Sequence, residues 1–324
     1  VEKLFTVIDE STTLLQTEYA MPYLEAIIHT GEYLFHEEIT GPLSETSVKR
    51  LKELYRKVNV SQLTKEDIRK AMQLAILKGM KEAVQPHHEM RPDAVALFIT
   101  YLITKWMKGK TALRILDPAI GTGNLITAIL NGLPEDIVTS AYGVEADETL
   151  LKLAYVNANL QQHEIELFHG DGLQPLFVDP VDVVVTDLPV GYYPNDEVAK
   201  DYELRAESGH SYTHHLFIEQ SIRYAKEGAL LIFLIPNGLF NDEANKLQLF
   251  LREHTHIQGL LQLPQTMFKK EEHGKSIFIL RKKGNDSSAP KEVLLAALPS
   301  FKNERALSQT IMKINRWFQE NVTL

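Results

Sequence analysis

The 324-residue sequence contains no cysteine and no uninterrupted run of 18 apolar residues. The first absence excludes disulfide bonds, thiolate zinc sites and cysteine nucleophiles. The second absence excludes a conventional transmembrane helix within this sequence. The first ten residues also lack the basic start and the apolar centre of a signal peptide, so we expect a cytoplasmic location and no membrane partner.

The sequence also has no excess of positive charge. Its 43 acidic residues outnumber its 34 lysines and arginines, which gives a formal net charge of −9. This balance counts against a broad nucleic-acid surface, since cationic side chains supply most of the affinity for phosphates. Lysines and arginines nevertheless cluster between Lys269 and Lys283. The cluster predicts either a local basic edge that binds DNA or the solvated ends of strands.

The N-terminal region shows helical periodicity and no strand pattern. Leu51, Leu54 and Val58 recur at spacings of three and four residues, and a second apolar stripe surrounds Met72. We therefore expect a separate domain of about four helices over residues 1–85.

From residue 86 to residue 324, short apolar runs alternate with helical stretches, which is typical of a parallel sheet covered by helices. The segment between the apolar runs 257–261 and 277–280 is too short for a crossover helix, so these two runs are expected to pair antiparallel. The predicted fold is α/β, a doubly wound seven-stranded sheet with a smaller all-α N-terminal domain.

A glycine turn follows the first predicted strand of the sheet. The strand 113–116 leads into Asp117-Pro118-Ala119-Ile120-Gly121-Thr122-Gly123-Asn124, and an apolar helix continues from Leu125. Glycines permit unusual backbone angles and a close approach to a ligand, and the helix start offers amide donors. A third glycine is missing at Ile126, which disfavours a nicotinamide dinucleotide.

Acidic residues follow three successive predicted strands. Asp117 ends the first strand, Glu145 ends the second, and Asp171 lies in the Gly170-Asp171-Gly172 turn after the third. The carboxyl ends of parallel strands meet at one edge of a sheet, where ligands of doubly wound folds bind. These acids are suited to a cationic ammonium, a pair of ribose hydroxyls and an adenine amino group, respectively.

These residues resemble the class I S-adenosylmethionine-dependent N6-adenine DNA methyltransferases, and most closely the modification subunit of type I restriction systems. The resemblance covers roughly residues 86–283 and extends to the helical N-terminal domain. It implies S-adenosyl-L-methionine as the cofactor. The cofactor contacts that it implies are Met90, Arg91, Pro92, Asp117, Pro118, Ala119, Gly121, Thr122, Gly123, Asn124, Leu125, Glu145, Ala146, Asp171, Gly172, Asp187 and Pro189.

The catalytic signature of this family is Asn or Asp, then Pro-Pro, then an aromatic residue. The corresponding run is Asp187-Leu188-Pro189-Val190, in which the first and third positions agree. Asp187 and the backbone carbonyl of Leu188 are the predicted acceptors for the hydrogens of the substrate amino group. Tyr192 or Tyr193 could replace the missing aromatic ring, or both could simply pack the loop.

The resemblance implies methyl transfer to the N6 amino group of adenine in DNA. Transfer to cytosine C5 is excluded, because it needs a cysteine nucleophile. No separate target-recognition segment is evident, so a protein partner is expected to supply sequence specificity. His210, His214 and His215 lack a carboxylate at metal-ligand spacing and are interpreted as solvated or capping residues. Two alternatives stay open: an RNA or protein N-methyltransferase, and a non-catalytic cofactor-binding interaction module.

Overall fold

The computed structural model describes residues 1–82, 93–241, 244–285 and 287–322. None of the helices in these ranges is long and apolar enough to cross a membrane. The α-helices are α1 Glu2–Tyr19, α2 Tyr23–His36, α3 Glu45–Tyr55, α4 Lys65–Glu82, α5 Asp93–Trp106, α6 Asn124–Gly132, α7 Glu148–Leu160, α8 Asp196–Ala199, α9 Thr213–Arg223, α10 Ala244–His254 and α11 Glu304–Asn321.

Ten strands lie in the described residues, and three of them contain the predicted apolar runs 113–116, 257–261 and 277–280. The ten strands are β1 Ala112–Asp117, β2 Val138–Glu145, β3 Ile165–His169, β4 Val181–Asp187, β5 Tyr192–Tyr193, β6 Ser211–Tyr212, β7 Ala225–Pro236, β8 Thr255–Gln262, β9 Lys275–Lys282 and β10 Leu294–Ala297. The residues from Ala229 to Ile235 in β7 are all buried. A continuous apolar run of this kind is typical of a strand that is covered on both faces.

The chain forms two compact units. The first unit contains residues 1–100, 120–133 and 147–169, and therefore the predicted N-terminal helices together with α6 and α7. Ile27 of α2 and Ile76 of α4 share one buried core with Leu153 and Val156 of α7. The apolar stripes of the N-terminal helices are thus covered by a helix from later in the chain. The domain division at residue 85 stays a prediction.

The second unit contains seven strands of the main sheet, in the order β10-β8-β9-β7-β4-β1-β2. Strands β2, β1, β4 and β7 are parallel to one another, whereas β9 pairs antiparallel with both β7 and β8. This confirms the antiparallel pair and the α/β fold class. Counted over all the described residues, the main sheet has eight strands rather than the predicted seven. Strand β10, at one edge of the sheet, pairs parallel with β8.

The packing of α2 on α7 gives a direct test of the shared core. A Cβ atom at Gly31 would lie 2.0 Å from Cγ1 of Val156. Alanine normally stabilises a helix interior by roughly 0.5–1 kcal/mol relative to glycine. We expect Gly31→Ala to lower the free energy of unfolding by about 1–3 kcal/mol instead, because overpacking reverses the sign. Urea titration measures this change.

The control is the double variant Gly31→Ala/Val156→Ala, in which the clashing methyl groups are absent. The double variant should be more stable than the sum of the two single changes by about 1 kcal/mol or more. Additive effects would show that α2 and α7 do not touch at these residues.

Candidate active site

The parallel pairing of three strands brings acidic side chains to one edge of the sheet. Strand β1 pairs with β2 on one side, where Asp117 lies opposite Gly143, and with β4 on the other. Asp117, Glu145 and Asp187 are therefore the last residues of three adjacent strands. The backbone N–H of Gly170 donates to the carbonyl of Glu145 at 3.0 Å, so the turn that carries Asp171 begins at the same edge.

Asp117 is the most deeply buried of these acids, with 2% of its surface exposed. Its Oδ1 accepts the N–H of Ala119 at 3.0 Å. Burial raises the pKa of Asp117 to about 7, and the negative charges of Asp187 and Glu145 add to the increase. A carboxylate that is both desolvated and repelled by its neighbours gains from a cationic ligand. The arrangement suits the ammonium group proposed for this position.

Glu145 and Asp171 are held by short-range contacts. Oε2 of Glu145 accepts the N–H of Ala146 at 2.9 Å, and Oδ1 of Asp171 accepts the N–H of Leu173 at 2.9 Å. The carbonyl of Gly172 accepts a hydrogen bond from Gln220 at 3.0 Å. These bonds fix the directions of both carboxylates without enclosing them, since both residues are partly exposed.

The glycine turn lies in the first unit and has the expected backbone. Gly121 and Gly123 have φ values of 59° and 80°, in the left-handed region that favours glycine. The N–H of Gly123 donates to Ile120, and α6 begins at Asn124 without a side-chain cap. The turn thus ends in a helix start of the kind that binds anionic groups. Leu125 is half-buried. Met90, Arg91 and Pro92 lie outside the described residues.

The run Asp187-Leu188-Pro189-Val190 directly follows β4, as predicted. Leu188 is buried, and its backbone N–H donates to the carbonyl of Leu234 at 3.2 Å. A proline at this position could not make this bond, because it has no N–H. Leu188 therefore restrains the backbone by this hydrogen bond and by its buried side chain, whereas the family pattern restrains it by the ring of a proline.

The side chain of Asp187 is 35% exposed and lies near a lysine that the sequence alone did not single out as catalytic. Nζ of Lys275, the first residue of β9, is 3.6 Å from Oδ1 of Asp187. Lys275 reaches this place because it lies opposite Pro236 at the end of β7. The pair arises from the antiparallel topology, and no local pattern marks it.

The two tyrosines after the run have different environments. Tyr193 is buried, and its hydroxyl donates to Oδ2 of Asp171; burial and this bond raise its pKa. Tyr192 is 67% exposed, and its ring stacks on Tyr212 with a centroid distance of 5.3 Å. Val190, at the aromatic position of the family signature, is also exposed. Tyr192 is thus the tyrosine that presents a ring surface beside the run.

Histidines flank this stacked pair. The rings of His214 and His215 lie 5.0 and 5.1 Å from the ring of Tyr212. Burial lowers the pKa of each histidine to about 4, so both are neutral near pH 7. The prediction of solvated or capping residues is wrong for these two, because both pack against an aromatic ring. His210 is exposed and lies 2.9 Å from Asp196.

The basic cluster from Lys269 to Lys283 is divided by β9. Lys275 starts the strand near Asp187, and Lys282 ends it, where it donates to the carbonyl of Ala225, the first residue of β7. Eight residues of strand span roughly 25 Å. Lys269, Lys270 and Lys275 therefore belong to the end of the strand at which Asp187 lies, whereas Arg281 and Lys283 belong to the other end.

The comparison with known families decides the assignment. A model described as "N-6 DNA Methylase" matches residues 91–322. The chain belongs to the N-6 DNA methylase family. A second model, described as the YtxK N-terminal helical domain, matches residues 2–80. The chain is therefore a member of the S-adenosylmethionine-dependent methyltransferases, and S-adenosylmethionine is its cofactor.

Relatives match over nearly the full length. The uncharacterized protein YtxK of Bacillus subtilis (strain 168) is 46% identical over 324 residues, which covers 99% of this chain and 98% of that protein. A crystal structure from Listeria monocytogenes, assigned to the class I S-adenosylmethionine-dependent methyltransferases, is 44% identical with a TM-score of 0.91 and covers 98% of each chain.

A type I restriction-modification methyltransferase subunit from Streptococcus thermophilus has the same fold. It is 15% identical with a TM-score of 0.68, and the alignment covers 98% of this chain and 74% of that subunit. The methyltransferase resemblance drawn from the strand-end residues is confirmed by these findings, together with the helical N-terminal domain.

The raised pKa of Asp117 makes two pH effects testable. Between about pH 4 and pH 7 the folded protein retains a proton that the unfolded chain has lost, so the free energy of unfolding should fall as the pH rises through this window. If Asp117 meets the cofactor ammonium, its ionisation also favours binding. We expect the affinity for S-adenosylmethionine to increase by up to about tenfold per pH unit between pH 5.5 and 7.

Urea titration and calorimetry of the wild type and of Asp117→Asn measure these effects. The variant carries no titrating group at this position, so its stability and its cofactor affinity should both vary less across the window. Equal pH profiles for the two proteins would show that Asp117 does not titrate there.

Proposed function

We propose that this member of the family transfers a methyl group from S-adenosylmethionine to the N6 amino group of adenine in DNA. The observation that carries the proposal is the position of Asp187. Asp187 is the last residue of β4, the strand that pairs with β1. Its negative charge is close enough to Asp117 to raise the pKa of that residue. A base-binding acceptor and the cofactor acids therefore share one edge of the sheet.

The residues of the altered signature can still orient an amino nitrogen. The carboxylate of Asp187 and the carbonyl of Leu188 can each accept one amino hydrogen, which leaves the nitrogen lone pair for the transferred methyl group. The cofactor, when bound, would supply this methyl group from its positively charged sulfur: the C–N bond would form as the C–S bond breaks, the neutral thioether would leave, and one amino proton would be released to water. The backbone N–H of Leu188 is bonded to the carbonyl of Leu234, and the ring of Pro189 restricts the backbone that follows the Leu188 carbonyl.

The stacked pair of Tyr192 and Tyr212 supports a flipped base as the substrate. An enzyme that modifies a base in a duplex must extrude it, and extruded bases are commonly held against aromatic rings. Tyr192 presents an exposed ring close in sequence to the catalytic run, while Tyr212 supports it from β6. We propose that this ring takes the place of the aromatic residue missing at Val190.

The surface charge indicates that this chain alone has a low affinity for DNA. The formal net charge is −9, and Lys270 lies 3.6 Å from Glu272, so part of the local positive charge is neutralised. Lys275 is paired with Asp187 and its side chain is 17% exposed, so Lys269 and Lys270 are left to contact only a few phosphates, which limits the affinity for DNA. A protein partner that binds DNA and supplies sequence specificity would remove this limit.

A second candidate is a cofactor-binding module that transfers no methyl group. The ion pair between Lys275 and Asp187 favours it, because the ammonium competes with a substrate amino group for Oδ1. Transfer to an amino group of RNA or protein remains a third candidate, since the same two acceptors would serve it. Variants of Asp187 separate these candidates.

Asp187→Ala should lower the rate of methyl transfer to DNA by more than about 100-fold, because an acceptor used in the transition state is lost. Asp187→Asn should retain activity within about tenfold, since asparagine keeps the acceptor oxygen and also occurs in the family signature. Transfer of labelled methyl groups to DNA, followed by nucleoside mass spectrometry, measures both rates.

The control is the affinity for S-adenosylmethionine, which Asp187→Ala should lower far less than it lowers the rate of transfer, because Asp117 and Glu145 keep their own contacts with the cofactor. Cofactor binding with no transfer to DNA by the wild type or Asp187→Asn would favour the non-catalytic module. Labelled RNA or protein with unlabelled DNA would instead favour the third candidate.

Tyr192→Ala should lower kcat/KM for DNA by roughly 10- to 100-fold, because stacking contributes about 1–3 kcal/mol per base. Tyr192→Phe keeps the ring and should retain activity. In the Tyr192→Ala background, Val190→Phe should restore part of the loss, because it returns an aromatic ring to the family position.

Phe177→Ala is the matched control, since Phe177 is an exposed aromatic residue in the segment that precedes β4. This variant should behave like the wild type. Equal losses for Tyr192→Ala and Phe177→Ala, or full activity of Tyr192→Ala, would contradict a stacking role.

A further inference from the structure

A buried arginine of the N-terminal helices reaches the residue that follows the glycine turn. The side chain of Arg69 in α4 is 0% exposed. Nε and Nη2 donate to the two oxygens of Glu66 at 2.7 and 2.8 Å, and Nη1 donates to Asp93 at 2.6 Å. Nη1 also donates to Oδ1 of Asn124 at 3.0 Å. Asn124 is the first residue of α6, directly after Gly123.

Further side chains extend this network along α6. Nδ2 of Asn131 donates to Glu66 at 2.8 Å and to Gln161 at 3.0 Å. On the other side of the turn, Nδ2 of Asn157 in α7 donates to the carbonyl of Thr122 at 2.8 Å. The turn is thus held from α7 through Thr122 and from α4 through Asn124.

A structural role alone explains this arrangement poorly. A buried ion pair often contributes little net stability compared with an apolar replacement, and its best-attested use is to specify one conformation. The glycine turn needs such specification, because glycines lose the most conformational freedom when they are fixed. One side-chain bond restrains the carbonyl of Thr122, between the two positive-φ glycines, and the other restrains the side chain of Asn124, directly after them.

We propose that Arg69 is a positioning residue for the cofactor: through Asn124 it holds the start of α6 and the adjoining glycine turn in the conformation that binds S-adenosylmethionine. The proposal rests on the cofactor of the family and is independent of the methyl acceptor. It assigns the region matched by the YtxK helical-domain model, residues 2–80, a part in cofactor binding.

The test compares Arg69→Met, Asn124→Ala, the double variant and Arg69→Lys in the full-length chain. Calorimetry measures the affinity for S-adenosylmethionine, and hydrogen exchange measures the opening of residues 119–128. Arg69→Met and Asn124→Ala should each weaken the affinity by about tenfold and speed exchange in this segment. The double variant should be no worse than either single variant, because both remove the same contact. Arg69→Lys should restore part of the affinity.

Arg50→Met is the matched control, because Arg50 of α3 is a half-exposed arginine whose ion pair joins it to Glu10 of α1. It should leave both measurements unchanged. If Arg69→Met does not fold, Arg69→Lys carries the test, since lysine keeps a positive charge beside Glu66 and Asp93 but cannot make all the hydrogen bonds of the guanidinium group, and its cofactor affinity should then lie below that of the wild type.

A melting temperature lowered by Arg69→Met with unchanged cofactor affinity would overturn the proposal, as would additive losses in the double variant. Unchanged affinity and exchange in Asn124→Ala would overturn it as well. If the wild type binds the cofactor but methylates no DNA, the proposed function is wrong. The role of Arg69 is still tested in that case, because cofactor affinity in the single and double variants does not depend on methyl transfer.

Discussion

The parallel pairing of β1 with β2 and β4 is the constraint on which the active-site electrostatics depend. Because of this pairing, the acidic residues that end the three strands lie at one edge of the sheet. Burial and the charges of Asp187 and Glu145 raise the pKa of Asp117 there to about 7. This edge disfavours a further negative charge and favours a positive one. The negative charge of this edge therefore favours a cationic cofactor, independently of any contact with the adenosine group.

The altered run Asp187-Leu188-Pro189-Val190 keeps the two acceptors on which the proposed methyl transfer depends. The acceptors needed for an amino nitrogen are one carboxylate and one backbone carbonyl, and neither depends on the side chain at position 188. Leu188 replaces the stiffness of a proline ring with a hydrogen bond to Leu234 and a buried side chain. The exposed ring of Tyr192 offers a surface that Val190 lacks, and its support by Tyr212 limits its freedom.

Much of the fold follows from the sequence, because apolar runs, glycine turns and strand-end acids are local signals and parallel topology dictates where strand ends meet. The strands and the antiparallel pair of β8 and β9 were predictable for this reason. The contacts of Arg69 with Asn124, of Lys275 with Asp187 and of Tyr192 with Tyr212 were not. These pairs are separated by 20 to 88 residues, and tertiary packing alone brings them together. The buried surroundings of His214 and His215 were missed for the same reason.

The central claim is that this edge of the sheet methylates adenine in DNA. Nucleoside mass spectrometry of DNA from cells with and without the gene tests it most directly, with sequencing to locate the modified bases. The account predicts that N6-methyladenine is present at a defined sequence motif only when the gene is intact, and that a gene encoding Asp187→Ala fails to restore it. DNA with identical N6-methyladenine in both cell types would contradict the claim.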